Sequence, residues 1–403
     1  MDNSLRNYLV VTGGYWAFTV TDGAIRMLVV LYFHQLGYSP FEVAMLFLFY
    51  EFFGIVTNLV GGWLGARIGL NLTMHIGMAM QVAALLMLTV PDAWLTVPYV
   101  MAAQAMSGIA KDLNKMSAKA SVKTLAGDGG ESRLFKYVAV LTGSKNALKG
   151  AGFFIGAALL EWIGFRNTLF ALAGLLFAVL ITTMTLLPSG VGKMKSKPKF
   201  TQVFSKKAEI NWLSAARFFL FGSRDVWFVV GLPVFLYSVL GWTFTQVGGF
   251  FALWVIGYGV VQASAPRLLR RSHHGGGPGG ASARNWAVVL GIVPAAIALA
   301  LAQGWDPQLV VVAGLILFGF VFAVNSAVHS YLILAYSDFD KVSMNVGFYY
   351  MANAGGRLAG TVLSGWAYQT HGLEGCLWWS AAFVLATVLL SIRLPEVAAP
   401  TAP

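Results

Sequence analysis

Twelve ionisable side chains fall inside stretches otherwise apolar enough to sit in a bilayer. Arg26, Lys111, Lys115, Lys145, Lys149, Arg217, Arg224 and Arg357 are basic, and Asp22, Glu51, Asp112 and Asp225 are acidic, a formal sum of +4. A charge at the bilayer centre costs at least about 2.5 kcal/mol, so such residues usually mark a substrate or ion path. Lys111 and Lys115 are four apart, with Lys119 one turn further, and Lys145 and Lys149 are also four apart. Each pair therefore shares one helix face. Like charges at that spacing repel, and one lysine of each pair would tend to lose its proton. A bound polyanion removes the conflict. The competing readings are snorkelling to a membrane surface for Lys115 and Lys119 and a buried ion pair for Lys145, Lys149 and Arg357. Asp22 and Arg26, four apart, are expected to neutralise each other along one helix, and Arg224 with Asp225 forms a comparable pair. These pairs are either structural or a counter-charge released when substrate takes the cation. Glu51 has no same-helix partner and is the candidate protonatable coupling group, with a neutral hydrogen-bonded carboxyl as the alternative. Asn146 and Asn353, with Asn114, Asn325 and His329, supply polar lining.

These residues must be held by a membrane scaffold. Of 403 residues, 58% are apolar and only 11% are charged, against about 25% charged in soluble proteins. Windows of about 20 apolar residues, the length that spans a bilayer, give twelve candidate helices. They lie at 8–33, 41–63, 72–91, 96–117, 133–160, 166–187, 210–239, 243–263, 286–304, 308–335, 342–368 and 375–394. The first apolar run is too long for a cleaved leader and is expected to persist. With both termini cytoplasmic, the inner segments hold 18 basic residues and the outer ones hold Arg166 alone, the bias the positive-inside rule requires. Much of the net charge of +11 is therefore topological and does not imply a nucleic-acid partner. The expected location is the cytoplasmic (inner) membrane.

Other chemistries lack the residues they need. The single cysteine, Cys376, forms no intramolecular disulfide and no Cys-rich metal site. The six scattered histidines supply no metal cluster or His-carboxylate arrangement for a membrane-embedded enzyme. No cofactor is expected, and no soluble domain of the kind a sensor appends is visible.

The chain reads as an N-terminal six-helix bundle at 1–187, a basic cytoplasmic linker at 188–208 and a C-terminal six-helix bundle at 209–403. A glycine-rich loop with His273 and His274 is expected at 272–284. The halves look alike. Residues 36–43 (Leu-Gly-Tyr-Ser-Pro-Phe-Glu-Val) match 240–247 (Leu-Gly-Trp-Thr-Phe-Thr-Gln-Val) at an offset of 204, and 147–152 match 355–360 at an offset of 208. The second match sets Lys149 opposite Arg357. Parallel repeats of six helices are the architecture of the major facilitator superfamily, and residues 61–69 (Gly-Gly-Trp-Leu-Gly-Ala-Arg-Ile-Gly) resemble its loop motif. Gly62, Gly65, Arg67 and Gly69 are thus expected in a gating loop between the second and third spans, where glycines let helix ends approach and the arginine bonds terminal carbonyls. Gly65 replaces the aspartate of that motif, and Leu70-Asn71 replace further basic residues, which weakens the charge relay.

Three strings carry a narrower resemblance: Tyr-Trp-Ala-Phe-Thr-Val-Thr-Asp-Gly-Ala-Ile-Arg at 15–26, Ser-Gly-Ile-Ala-Lys-Asp-Leu-Asn-Lys-Met-Ser at 107–117 and Leu-Thr-Gly-Ser-Lys-Asn-Ala-Leu-Lys-Gly at 141–150. They resemble the ArsJ-type organoarsenical efflux permeases of the major facilitator superfamily, over the whole chain and most densely in the first six spans. The resemblance implies export of 1-arseno-3-phosphoglycerate. A partner glyceraldehyde-3-phosphate dehydrogenase makes it when arsenate replaces phosphate, and it breaks down to arsenate outside. It supplies no residue-level site. Charge and repeat logic give the expected substrate contacts as Lys111, Lys115, Lys145, Lys149, Arg357, Arg26, Arg224, Asn146 and Asn353, with Asp22, Glu51, Asp112 and Asp225 balancing the charge. An organophosphate or phosphate exchanger and a proton-coupled exporter of another organic anion are the alternatives.

Overall fold

A computed structural model describes residues 3–126, 131–188, 207–270, 278–337 and 342–397, and at 3–4, 59–68, 119–126, 131–143, 266–268, 270 and 342–344 the backbone only. With no water in a bilayer, backbone groups must pair within their own segment, and the described chain is helical almost throughout. The helices are α1 Asn3–Gln35, α2 Pro40–Leu46, α3 Leu48–Ile68, α4 Leu70–Met87, α5 Val97–Ala126, α6 Glu131–Ile163 and α7 Phe165–Leu186, then α8 Ala208–Phe228, α9 Gly231–Ser238, α10 Phe244–Arg270, α11 Gly280–Ala302, α12 Pro307–Ala335 and α13 Val342–Ser391.

Twelve spans emerge when two interrupted pairs are joined and one long helix is divided. α2 and α3 form the second span, broken at Phe47, and α8 with α9 forms the seventh. α13 holds the last two, turning at Gly372, where φ 63 and ψ −160 suit only glycine. Nine described segments are apolar and long enough to cross a membrane; α5 and α6 are absent from that set because they carry the lysine pairs.

Two boundaries correct the sequence reading. The 61–69 stretch is not a loop: α3 runs through Ile68, and α4 resumes at Leu70 after Gly69 alone, at φ 102. Glycines that break soluble helices are tolerated inside membrane helices, so the cluster carries Gly62, Gly65 and Arg67 on helix. The side chain of Arg67 lies outside the described residues. The loop expected at 272–284 is already helical at Gly280, held by Gly280 N–H to Pro395 O at 3.1 Å and Ala281 N–H to Glu396 Oε1 at 2.7 Å. His273, His274 and most of the 188–208 linker, from Lys193 to Lys206, lie outside the described residues.

The chain forms two compact units, Met1–Gly37 with Met45–Lys199 and Thr243–Val255, and Tyr38–Ala44 with Phe200–Trp242 and Ile256–Pro403. Each unit thus includes a short segment from the opposite half of the sequence. The first unit has a core of Tyr15, Phe18, Met74, Met78 and Leu176, and the second an aromatic stack of Trp227, Phe318 and Phe322.

The duplication is visible in detail. Ser39 and Glu42 exchange backbone N–H bonds in a capping box (2.8 and 3.3 Å), and Thr243 and Gln246 do the same (2.9 and 3.3 Å). In the second unit Phe41 N–H donates to Gln369 Oε1 at 3.1 Å, and in the first Thr245 N–H donates to Glu161 Oε2 at 2.7 Å.

Helix α1 packs closely on α6, and α8 on α13. A Cβ on Gly152 would lie 2.4 Å from Val20 O, and one on Gly360 would lie 2.7 Å from Gly222 O. These are backbone atoms and cannot swing aside. Gly152→Ala is therefore expected to push α1 and α6 apart at a cost of about 1–3 kcal/mol, read as a lower unfolding temperature of the detergent-solubilised protein, with no change for Gly174→Ala, where a Cβ meets open space.

Candidate functional site

The α1–α6 contact brings Asp22 on α1 to Lys149 on α6, Oδ2 to Nζ at 3.6 Å. The other oxygen of Asp22 accepts the Tyr50 hydroxyl at 2.6 Å. Tyr50 also offers its ring face to Lys111 Nζ, 4.1 Å from the centroid. Lys111 and Lys115 both lean on Asp112, at 3.6 and 3.1 Å, and Lys115 also donates to Asn58 Oδ1 at 3.1 Å. One connected network therefore runs from Lys149 through Asp22, Tyr50, Lys111 and Asp112 to Lys115. A carboxylate shared by both cations offsets the repulsion within the Lys111–Lys115 pair. Lys145 and Asn146 are half-buried beside Ser144, which accepts a 2.8 Å bond from Trp16 Nε1.

The expected Asp22–Arg26 pair does not form. Arg26 instead meets Glu51, Nη2 to Oε1 at 3.0 Å, packed against Phe47 and Tyr50. Glu51 thus has a partner on another helix, and both are buried, at 6% and 1% side-chain exposure. That places Arg26 behind the lysines, not among the accessible cations. The i, i+4 spacing misled because close packing of neighbouring helices offered both residues better partners.

The second unit repeats the first pair. Asp225 on α8 accepts from Arg357 Nε on α13 at 3.1 Å, and its other oxygen takes both Nε, at 2.7 Å, and Nη2 of the adjacent Arg224. Asp225 follows Asp22 by 203 residues and Arg357 follows Lys149 by 208, so the pairing of the first span with the fifth recurs between the seventh and eleventh. Arg224 sits among Phe221, Phe228 and Phe322, 5.1 to 5.6 Å from their centroids.

Among the described residues Arg217, two turns earlier on α8, is bonded only to neutral groups: Nε to Asn353 Oδ1 at 3.0 Å, and Nη1 to Ser326 O at 3.3 Å and Oγ at 3.1 Å. It lies 3.7 Å above Phe221.

The electrostatic pattern is consistent across both units. Asp22, Asp112 and Asp225 are 1–5% exposed, whereas Lys111, Lys115, Lys149, Arg224 and Arg357 keep 15–20%. These carboxylates sit behind and these five cations in front, while Arg26 and Arg217 are as buried as the carboxylates. In the first unit five cations (Arg26, Lys111, Lys115, Lys145, Lys149) face three carboxylates (Asp22, Glu51, Asp112), and in the second three arginines face Asp225. Each carries a formal excess of +2. No group of three or more metal-ligating side chains occurs among the described residues. Sequence reasoning missed Tyr50 and Asn58; the signal was a lone phenol and a lone amide in an apolar span.

Residues 11–327 match the Major Facilitator Superfamily family. No curated protein matches the chain. Among solved structures, that of the nucleoside transporter NupG is 14% identical with TM-score 0.73, covering 97% of this chain and 98% of that one. A structure described as giving insight into substrate recognition in proton-dependent oligopeptide transporters is also 14% identical with TM-score 0.73, covering 96% and 97%. A bacterial homologue of the iron transporter ferroportin, in an inward-facing state, is 17% identical with TM-score 0.68, covering 96% and 98%. At these identities the likeness speaks for the fold. The family match spans well over half of the sequence, and the chain belongs to the major facilitator superfamily, a multi-pass membrane protein that carries out secondary transport by alternating access.

Proposed function

We propose that this transporter exports a polyanionic organoarsenical, 1-arseno-3-phosphoglycerate, from the cytosol and thereby confers resistance to arsenate. The observation that carries the reading is the excess of accessible cations over buried carboxylates in both units, with Lys149–Asp22 repeated as Arg357–Asp225. Charge of that sign at membrane depth favours an anion, and the resemblance to ArsJ-type permeases names which one. A glyceraldehyde-3-phosphate dehydrogenase supplies the substrate, and the protein sits in the inner membrane with both termini cytoplasmic. An inside-negative potential contributes about 2.3 kcal/mol per charge per 100 mV to anion exit, so export needs no proton. The burial of Glu51 against Arg26 supports that uncoupled reading. The competing anion exchanger is separated by everted vesicles supplied with the dehydrogenase, glyceraldehyde 3-phosphate, NAD and arsenate. Arsenic is expected to accumulate only with the complete mixture. Accumulation with arsenate alone, or stimulation by luminal phosphate, would favour the exchanger.

A further inference from the structure

We propose that Arg217 forms a second oxyanion subsite in the C-terminal unit, so that α8 and α13 receive both ends of a short bis-anion: one at Arg217, the other at Arg224–Asp225–Arg357. The inference rests on the anion reading above and deepens it.

Arg217 is 4% exposed and has no carboxylate within ion-pair distance among the described residues. Its Nε and Nη1 are used by Asn353 and Ser326, while Nη2 has no acceptor among the described residues. A guanidinium carries five N–H donors and keeps its charge, and a buried cation without a counter-ion costs several kcal/mol. Hydrogen bonding on the neighbouring α12 is also unfinished. Asn325 and His329, on α12 beside Ser326, are both 0% exposed, and none of their four side-chain nitrogen and oxygen atoms has a partner. Tyr258 and Gln262 on α10 donate to Ser326 Oγ at 3.1 and 3.3 Å, which fixes that hydroxyl against Arg217. A buried cation whose α12 neighbours each keep an unused donor, Asn325 Nδ2 and one ring N–H of His329, is what a phosphate, arsenate or carboxylate group completes.

Spacing supplies the second argument. Arg217 and Arg224 are seven residues apart on α8, about 10 Å along the axis, and Asn353 and Arg357 are four apart on α13, about 6 Å. The two stations are thus separated by the reach of a three-carbon chain with an oxyanion at each end. At the offset that relates Asp22 to Asp225, Arg217 corresponds to Gly14, so the first unit has no counterpart. The subsite belongs to one unit, as a substrate with two unlike ends requires.

The test is binding to the purified full-length transporter of glycerol 1,3-bisphosphate, the bis-anion, and glycerol 3-phosphate, the mono-anion, by calorimetry. The wild type is expected to bind the bisphosphate at least about tenfold more tightly. Arg217→Gln is expected to abolish that preference while leaving monophosphate affinity intact. Arg217→Lys, which keeps the charge against a folding defect but loses the planar fork, should reduce the preference several-fold. A wild type with no preference, or variants that keep it in full, would overturn the second subsite; Arg217→Gln weakening both ligands equally would assign Arg217 a structural role instead. A wild type that binds neither probe would overturn the anion reading itself.

Discussion

Replacing Asp225 with alanine is expected to destabilise the protein by about 3–5 kcal/mol, the cost of removing one partner from a buried ion pair and leaving its cations uncompensated. Asp225 is 1% exposed and is the shared acceptor of Arg224 and Arg357, which approach its two oxygens from α8 and α13. Without it, two guanidinium groups face each other in an apolar setting walled by Phe221, Phe228 and Phe322. Asp225→Asn keeps an acceptor oxygen and should cost less, while Asp22→Ala, which takes a carboxylate from one cation, Lys149, and an acceptor from Tyr50, should also cost less. Denaturant unfolding in detergent micelles reads the order. A loss below about 1 kcal/mol for Asp225→Ala would mean that the triad is no better than a surface ion pair.

The second large effect concerns transport. In cells that express the dehydrogenase, Lys145→Ala, Lys149→Ala and Arg357→Ala are each expected to abolish arsenate resistance with protein levels unchanged on immunoblots. If these cations bind the proposed anion, each variant would lose a charge-assisted bond to it, roughly 1.5–3 kcal/mol or 10- to 150-fold in transport efficiency. Lys149→Arg should retain part of the activity, since the repeat places an arginine at the equivalent position, Arg357. Full resistance in all three alanine variants would remove these cations from the substrate path. Conversely, Arg26→Ala should act through stability, because Arg26 is closed against Glu51.

Much of this was legible in the sequence, for identifiable reasons. Helices in a bilayer must be long and apolar, so the span count followed from composition, and the lysine pairs stood out on α5 and α6 because charge is rare there. The correspondence of Lys149 and Arg357 followed from a six-residue match. The partners did not. Periodicity along one helix suggested Asp22 with Arg26, but the glycine contact between α1 and α6, at Gly23 and Gly152, brings Lys149 within reach of Asp22, and no single-helix pattern encodes that. Tyr50 links Asp22 to Lys111 although, as an aromatic residue among phenylalanines, it carried no charge signal. Glycines at 61–69 read as a loop because glycine breaks helices in water, where the competing hydrogen-bond partner is solvent. Arg217 was visible as an intramembrane charge, but it has no repeat partner and repeat logic passed over it.

The proposed cargo is an organoarsenical made inside the cell. The measurement that meets it most directly is growth on arsenate of an arsenate-sensitive strain carrying the transporter alone, the dehydrogenase alone, or both. Resistance, with arsenic released to the medium, is expected only when both are present. Resistance from the transporter alone, or none from the pair with both proteins at normal levels, would contradict it.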